Sequence, residues 1–128
     1  MLPRVLFAVL LPMAALEAHH SLAAEFDSSK AVTLQGTVTK VAWMNPHVYL
    51  WVDAADAGGR VTNWMVESAA PNYLQRLGWA KGSVQAGDVV TIHGYIAKDQ
   101  PNLAKMDAIT LRGGKRLTVG HADDRRQP

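Results

Sequence analysis

Residues 32–39 alternate between apolar or glycine positions and polar positions, and this pattern limits the fold more than any other feature of the chain. A period of two places one set of side chains on each face of a strand, so the segment predicts a half-buried β-strand. Gly36 interrupts the apolar set, which indicates a bend or the close approach of another backbone. We also expect a β-bulge near Lys40-Val41, which would change the direction of the side chains that follow.

Further segments of the same kind follow, with one short helical segment among them. The predicted strands cover residues 47–54, 60–68, 88–97, 103–114 and 115–119. Residues 70–79 form the predicted helix, because Pro71 suits a first turn and Gly78 suits a carboxyl-terminal cap. This order predicts an all-β fold, a small five- to six-stranded OB-like barrel with one short helix between strands three and four. A plain β-sandwich is the alternative, although it usually has more strands.

The first residues have the layout of a secretory signal peptide. Arg4 gives a positive start, residues 5–11 form an apolar run, and Ala18 is a small residue at the preferred cleavage point. Cleavage after Ala15 competes with it, and a retained anchor or a core helix is the alternative interpretation. The apolar run is far shorter than the roughly 20 residues of a membrane-spanning helix. We therefore expect a periplasmic or secreted protein with no transmembrane segment in its mature chain.

The chain of 128 residues suits a single folded domain. The predicted parts are a signal peptide at residues 1–18, an N-terminal lead-in at 19–30, an OB-like β-barrel domain at 31–119 and a disordered tail at 120–128. The tail is expected to be disordered because it is polar and terminal.

Composition excludes several classes of site. The chain has no cysteine, so it can form no disulfide, thiolate metal site or cysteine nucleophile. The formal net charge is only +2, with cations and anions mixed along the chain, which argues against a nucleic-acid partner. No paired-carboxylate spacing, nucleophile motif or phosphate-binding loop is found, so we expect a protein that is not an enzyme.

Four stretches of the chain together resemble a family of small exported bacterial proteins that is classed as a domain of unknown function. The stretches are AHHSLAAEFD, VTLQGTVTKVAWMNPHVYLWV, NWMVESAAPNYLQRLGW and GDVVTIHGYIAKDQPNLAKMDAITL. The resemblance rests on a histidine pair at the start of the mature chain, an Asn-Pro-His motif and a Gly-Trp pair after the helix. It implies export and an OB-like β-barrel, and it implies no activity.

Histidines are the candidate metal ligands. After cleavage at Ala18, His19 would present a free α-amine and an imidazole, and His20 would add a second imidazole. Copper(II) favours such nitrogen ligands in a square-planar arrangement. His47 or His93 could complete the site if the terminus folds back. The alternatives are a mobile terminus without a role and a His47 side chain that only caps a turn.

Aromatic residues form a second candidate site. Tyr49, Trp51 and Tyr95 are expected to point outward with His47 and His93, because they alternate with apolar residues in their strands. Outward aromatics on such barrels stack against bases or sugars. In the alternative interpretation they lie beneath the N-terminal segment and only cover the barrel.

These observations predict an exported, non-enzymatic binding module for a small ligand, a metal ion or an envelope protein. Copper bound by the N-terminal histidines is the most specific form of this prediction. The alternative is a structural or interaction subunit of a cell-envelope assembly that docks through the aromatic residues or a strand edge.

Overall fold

The computed structural model describes residues 25–120 of the chain. These residues form six strands and a short helix, in the order of three strands, the helix and three further strands. The elements are β1 (Phe26–Ala42), β2 (Tyr49–Ala55), β3 (Val61–Glu67), α1 (Pro71–Arg76), β4 (Val89–Ala97), β5 (Leu103–Leu111) and β6 (Arg116–Thr118). The prediction of an all-β fold with a short helix between strands three and four is therefore confirmed.

The six strands form one sheet that closes into a ring. Its order is β3-β2-β1-β4-β5-β6, with neighbouring strands antiparallel. A further parallel pairing joins β3 to β5 and closes the ring. Strand β6 extends the sheet from β5. Strand β1 pairs with both β2 and β4, so these three strands are adjacent in the sheet.

Strand β1 is long because its first part pairs with β4 and its last part pairs with β2. It begins at Phe26, inside the stretch that we expected to be a lead-in, and it pairs with β4 before it pairs with β2. The register with β2 shifts between Val38 and Lys40, so the expected bulge is present. A Cβ atom at Gly36 would collide with the backbone of Asp53, which confirms the close approach expected there.

The core lies inside the ring and consists of the alternate side chains that the strand patterns predict. It contains Leu34, Val38, Leu50, Val52, Val66, Val90, Ile92, Ala104, Met106 and Ile109. Helix α1 adds Leu74, and Trp79 follows it into the core. The indole Nε1 of Trp79 donates to the carbonyl oxygen of Thr118 at 3.0 Å, so the only polar atom of this side chain is satisfied. Burial of these side chains is the main favourable term in folding.

Within residues 25–120, no helix is long and apolar enough to cross a membrane.

Candidate functional site

Four polar side chains lie in a row across four strands of the ring. Tyr49 on β2 pairs with Glu67 on β3, Glu67 pairs with Lys105 on β5, and Lys105 pairs with Tyr95 on β4. Paired residues point to the same face of a sheet. The residues adjacent to them in sequence, such as Leu50, belong to the core. The row therefore lies on the outer face of the ring.

Glu67 and His47 form the closest polar contact in this row. The Nδ1 atom of His47 lies 2.7 Å from Oε1 of Glu67. A carboxylate only accepts hydrogen bonds, so Nδ1 carries the proton and donates it to Glu67. Glu67 is only 7% exposed, whereas the His47 side chain is 39% exposed. The buried carboxylate therefore fixes the orientation of a half-exposed imidazole, whose Nε2 remains as an acceptor or a ligand atom.

Lys105 approaches the same carboxylate from β5. Its Nζ lies 3.8 Å from Oε1 of Glu67 and donates to the carbonyl oxygen of Ser68 at 3.1 Å. Burial lowers the pKa of Lys105, while the negative charges of Glu67 and Glu25 partly oppose that shift. Glu67 thus has a cationic neighbour on one side and an imidazole on the other, which explains how a carboxylate is accommodated with so little exposure.

A cleft of about 390 Å³ opens beside Glu67, and we call it the N-terminal cleft because the first described residue lines it. Its lining consists of Glu25, Tyr49, Met65, Glu67, Ala97, Asp99, Gln100 and Leu103. Apolar side chains and carboxylates thus face the same space. The pKa of Tyr49 is raised, first because burial disfavours the phenolate and then because Glu67 and Glu25 are negative.

The start of the described chain is attached to the edge of this cleft. The backbone amide of Lys98 donates to the carbonyl oxygen of Glu25 at 2.8 Å. Phe26, the next residue, is buried and pairs with Ala97. The chain therefore enters the fold at the N-terminal cleft. The predicted ligands His19 and His20 lie a few residues upstream and fall outside the described residues.

Aromatic side chains extend from His47 along the outer face of β2. The rings of His47 and Tyr49 are 6.4 Å apart and nearly perpendicular, and those of Tyr49 and Trp51 are 6.3 Å apart. The ammonium group of Lys40 lies 4.7 Å from the centre of the Trp51 ring. His47, Tyr49 and Trp51 thus form a continuous aromatic surface, and Lys40 makes a cation–π contact with Trp51 at one end of it.

The other two predicted site residues lie on β4. Tyr95 is opposite Ala31 of β1, whereas Tyr49 is opposite Ala42, so ten residues of β1 separate the positions with which the two tyrosines pair. In the other direction around the ring, Tyr49 and Tyr95 are linked through Glu67 on β3 and Lys105 on β5. The Nδ1 atom of His93 is 3.2 Å from the hydroxyl of Thr33. The structure therefore brings together His47, Tyr49 and Trp51, and it holds His93 and Tyr95 apart from them along β1.

No three histidine, aspartate or glutamate side chains are grouped to hold a metal ion in the part of the chain that the structure describes.

Comparison with known proteins gives a family for the chain. Residues 8–104 match the group described as "Family of unknown function (DUF6152)". The chain belongs to this family. The matched range includes His19, His20, His47, Glu67 and the whole of β1 to β4, and it ends at the beginning of β5. No curated protein and no solved structure matched the chain.

Sequence reasoning missed the two partners that organise the site in this DUF6152 protein. Nothing in the local sequence distinguishes Glu67 from the other acidic residues of the chain or assigns a role to Lys105. The available signal was the alternation in β3, where Glu67 follows the core residue Val66 and must face outward. That pattern indicates which face Glu67 occupies. It does not indicate that His47 and Lys105 contact Glu67, because those contacts depend on how the strands pair.

Proposed function

We propose that this DUF6152 protein is an exported, non-enzymatic binding module that holds copper(II) close to the start of its mature chain. The observation that supports this function best is the hydrogen bond between His47 and Glu67, 2.7 Å long, beside the point where the chain enters the fold. Histidines that bind metals almost always donate their second ring nitrogen to a carboxylate or carbonyl group. Here Glu67 fills that role and leaves Nε2 of His47 for a ligand.

The remaining ligands come from the mature terminus. Cleavage after Ala18 gives His19 an α-amine beside its imidazole, and His20 contributes a further imidazole. Together with Nε2 of His47, these groups form an all-nitrogen set of the type that copper(II) prefers. His93 is a weaker candidate, because the partner of its Nδ1 is the hydroxyl of Thr33 and not a carboxylate.

Export is part of the same proposal. Residues 1–18 act as a signal peptide, so the protein functions in the periplasm or outside the cell. The positive residue Arg4, the apolar run and the small residue Ala18 support this interpretation. Removal of the signal peptide creates the α-amine on which the copper site depends.

We further propose that the closed ring is an OB-like barrel. Two features support it. The first strand is shared between β2 and β4, and the parallel pairing of β3 with β5 closes the ring. Helix α1 lies between β3 and β4, where the short helix of an OB fold lies. In such a fold, binding sites commonly lie on the outer surface of the barrel, as the polar row does here.

Copper titration of the mature protein tests the function. Protein that begins at His19 should bind one copper(II) ion, and chemical acetylation of the α-amine should weaken binding by at least about tenfold, a loss of about 1.4 kcal/mol. The loss is expected because acetylation removes a ligand nitrogen and leaves the imidazoles intact. Equal affinity of the acetylated and free proteins would reject terminal chelation.

A second candidate is an interaction subunit of an envelope assembly, and the aromatic surface of Tyr49 and Trp51 favours it. Half-exposed aromatic side chains with a neighbouring cation are typical anchors of protein interfaces. Cross-linking in envelope extracts would test this candidate. Trp51→Ala should abolish a specific cross-linked species, whereas Val89→Ala, which truncates an exposed side chain on β4, should retain it. Unchanged cross-linking in Trp51→Ala would reject docking through this surface.

A further inference from the structure

One carboxylate oxygen of Glu67 opens into the N-terminal cleft. The contacts of Glu67 with His47 and Lys105 both end at Oε1, and no hydrogen bond to Oε2 comes from residues 25–120. Of the side-chain nitrogen and oxygen atoms in that range, only Oγ of Ser68 is fully buried without a partner, so Oε2 is accessible. The Glu67 side chain is 9% exposed and lines the cleft, so this access is through the cleft. Oε2 is therefore placed to accept a charge-assisted hydrogen bond from a ligand.

The charge of the lining selects a cation as that ligand. Three carboxylates and no basic side chain line the cleft, and the carboxylates belong to Glu25, Glu67 and Asp99. Lys105 approaches Glu67 from outside this lining, at 3.8 Å from Oε1, and offsets only part of the negative charge. A positively charged ligand in the cleft therefore has a favourable Coulombic energy.

An apolar surface separates two of the acidic groups. Met65 on β3 and Leu103 on β5 occupy paired positions, so these half-buried side chains lie side by side. Glu67 is two residues beyond Met65, about 7 Å further along the strand. Asp99 belongs to the loop that precedes β5, so it approaches the Met65–Leu103 pair from the end opposite to Glu67. The cleft thus has an acidic group at each end and an apolar middle.

Tyr49 adds an aromatic ring at the Glu67 end of the cleft. It pairs with Glu67 across β2 and β3 and lines the same space. The negative charges of Glu67 and Glu25 both contribute to the raised pKa of Tyr49, so both carboxylates act at its hydroxyl group. An ammonium group bound at Oε2 of Glu67 therefore lies beside a ring whose face attracts cations.

We propose that the N-terminal cleft is a binding site for a linear aliphatic diamine. One ammonium group donates to Oε2 of Glu67, the methylene chain packs on Met65 and Leu103, and the second ammonium group faces Asp99. The cleft volume of about 390 Å³ lies within the range of small-molecule sites, about 300–1,000 Å³. The diamine site requires no metal and does not use Nε2 of His47, so it is independent of the proposed copper function.

Calorimetric titration of the metal-free mature protein with putrescine, a four-carbon diamine, tests the site. Putrescine should bind more tightly than butylamine, which lacks the second ammonium group, and the uncharged butanediol should not bind. Asp99→Asn should weaken putrescine binding about threefold, the effect of one exposed ion pair, and leave butylamine binding nearly unchanged. Asp88→Asn is the matched control, because it removes the same charge from a turn outside the cleft lining and should change neither affinity.

Glu67→Gln provides a second variant and should lower the affinity for both amines, because each places an ammonium group at Oε2. Asp99 is exposed, so Asp99→Asn keeps the test decisive if Glu67→Gln does not fold. Absence of putrescine binding, equal affinity for putrescine and butylamine, or the same putrescine affinity in Asp99→Asn and Asp88→Asn would overturn the inference. The titration contains no copper(II), so its outcome does not depend on terminal chelation.

Discussion

The Nδ1–H group of His47 donates to Oε1 of Glu67 over 2.7 Å, which links a residue two positions before β2 to the last residue of β3. The same carboxylate oxygen lies 3.8 Å from Nζ of Lys105 on β5. One buried oxygen therefore joins three segments of the chain. Two of them, β3 and β5, meet only where the sheet closes.

Substitution of Glu67 tests how much this junction contributes to stability. Glu67→Gln should lower the free energy of unfolding by about 2–4 kcal/mol, because it removes the stronger of the two negative charges that act on the buried Lys105 ammonium. His47→Ala should cost only about 1 kcal/mol, because it removes one hydrogen bond and Glu67 retains Lys105. Urea denaturation of both variants measures the difference. The interpretation is wrong if His47→Ala is the more destabilising change.

A double variant separates charge from packing at the same position. In Glu67→Gln/Lys105→Met the ammonium that has lost its main counter-charge is absent, so part of the lost stability should return. A double variant that is less stable than the Glu67→Gln protein would show that Lys105 contributes by packing and not through its charge.

Tyr49 should lose its phenolic proton above its ordinary pKa of 10.0, because burial and, to a lesser extent, Glu67 and Glu25 raise its pKa. The difference in ultraviolet absorbance between the natural protein and Tyr49→Phe, followed against pH, isolates this group. Glu67→Gln should lower the pKa only in part, because burial is the larger cause. A pKa at or below 10.0 in the folded protein would contradict the half-buried position of Tyr49 beside Glu67 and Glu25.

The raised pKa of Tyr49 also has a defined effect on stability. The folded state holds the proton more tightly than the unfolded chain, so the contribution of Tyr49 is complete below about pH 10. It is lost as the pH rises through the pKa of the folded state. Stability should therefore decline less steeply above about pH 10 in Tyr49→Phe than in the natural protein.

Gly36→Ala tests the close approach of β1 and β2. A Cβ atom there would collide with the backbone of Asp53, so the strands must separate and the free energy of unfolding should fall by more than about 2 kcal/mol. Gly82→Ala is the matched control, because a Cβ at Gly82 meets only the side chain of Gln85 at an ordinary distance of 3.6 Å. Thermal unfolding of both variants measures the contrast. Equal transition temperatures would contradict the register of β1 with β2.

Much of the fold is encoded in local patterns. The alternation of residues 32–39 predicts which side chains of β1 enter the core, and Leu34 and Val38 do so. The bulge after Val38 and the close contact at Gly36 follow from the same stretch. Pro71 and Gly78 correctly mark the beginning and end of the helical segment, because each suits a backbone conformation that occurs there.

The site depends on relationships that no local pattern contains. Glu67 and Lys105 are paired because β3 runs parallel to β5 in one particular register, and that register is set by closure of the whole ring. The sequence also predicts that Tyr49 and Tyr95 share the outer surface, but it does not show that ten residues of β1 lie between the positions they pair with. Residues 26–30 join β1 because β4 is long enough to pair with Phe26, which their own turn-like sequence does not indicate.

Paramagnetic broadening of NMR signals by copper(II) tests the central claim most directly, because the ion broadens signals only from its immediate surroundings. Less than one equivalent is added to the mature protein that begins at His19. The account predicts that the amide signals of His47, Val48 and Glu67 broaden first, while those of Thr33 and His93 remain sharp. Broadening that is centred on His93, or that is equal throughout the protein, would contradict a copper site formed by His47 and the mature N-terminus.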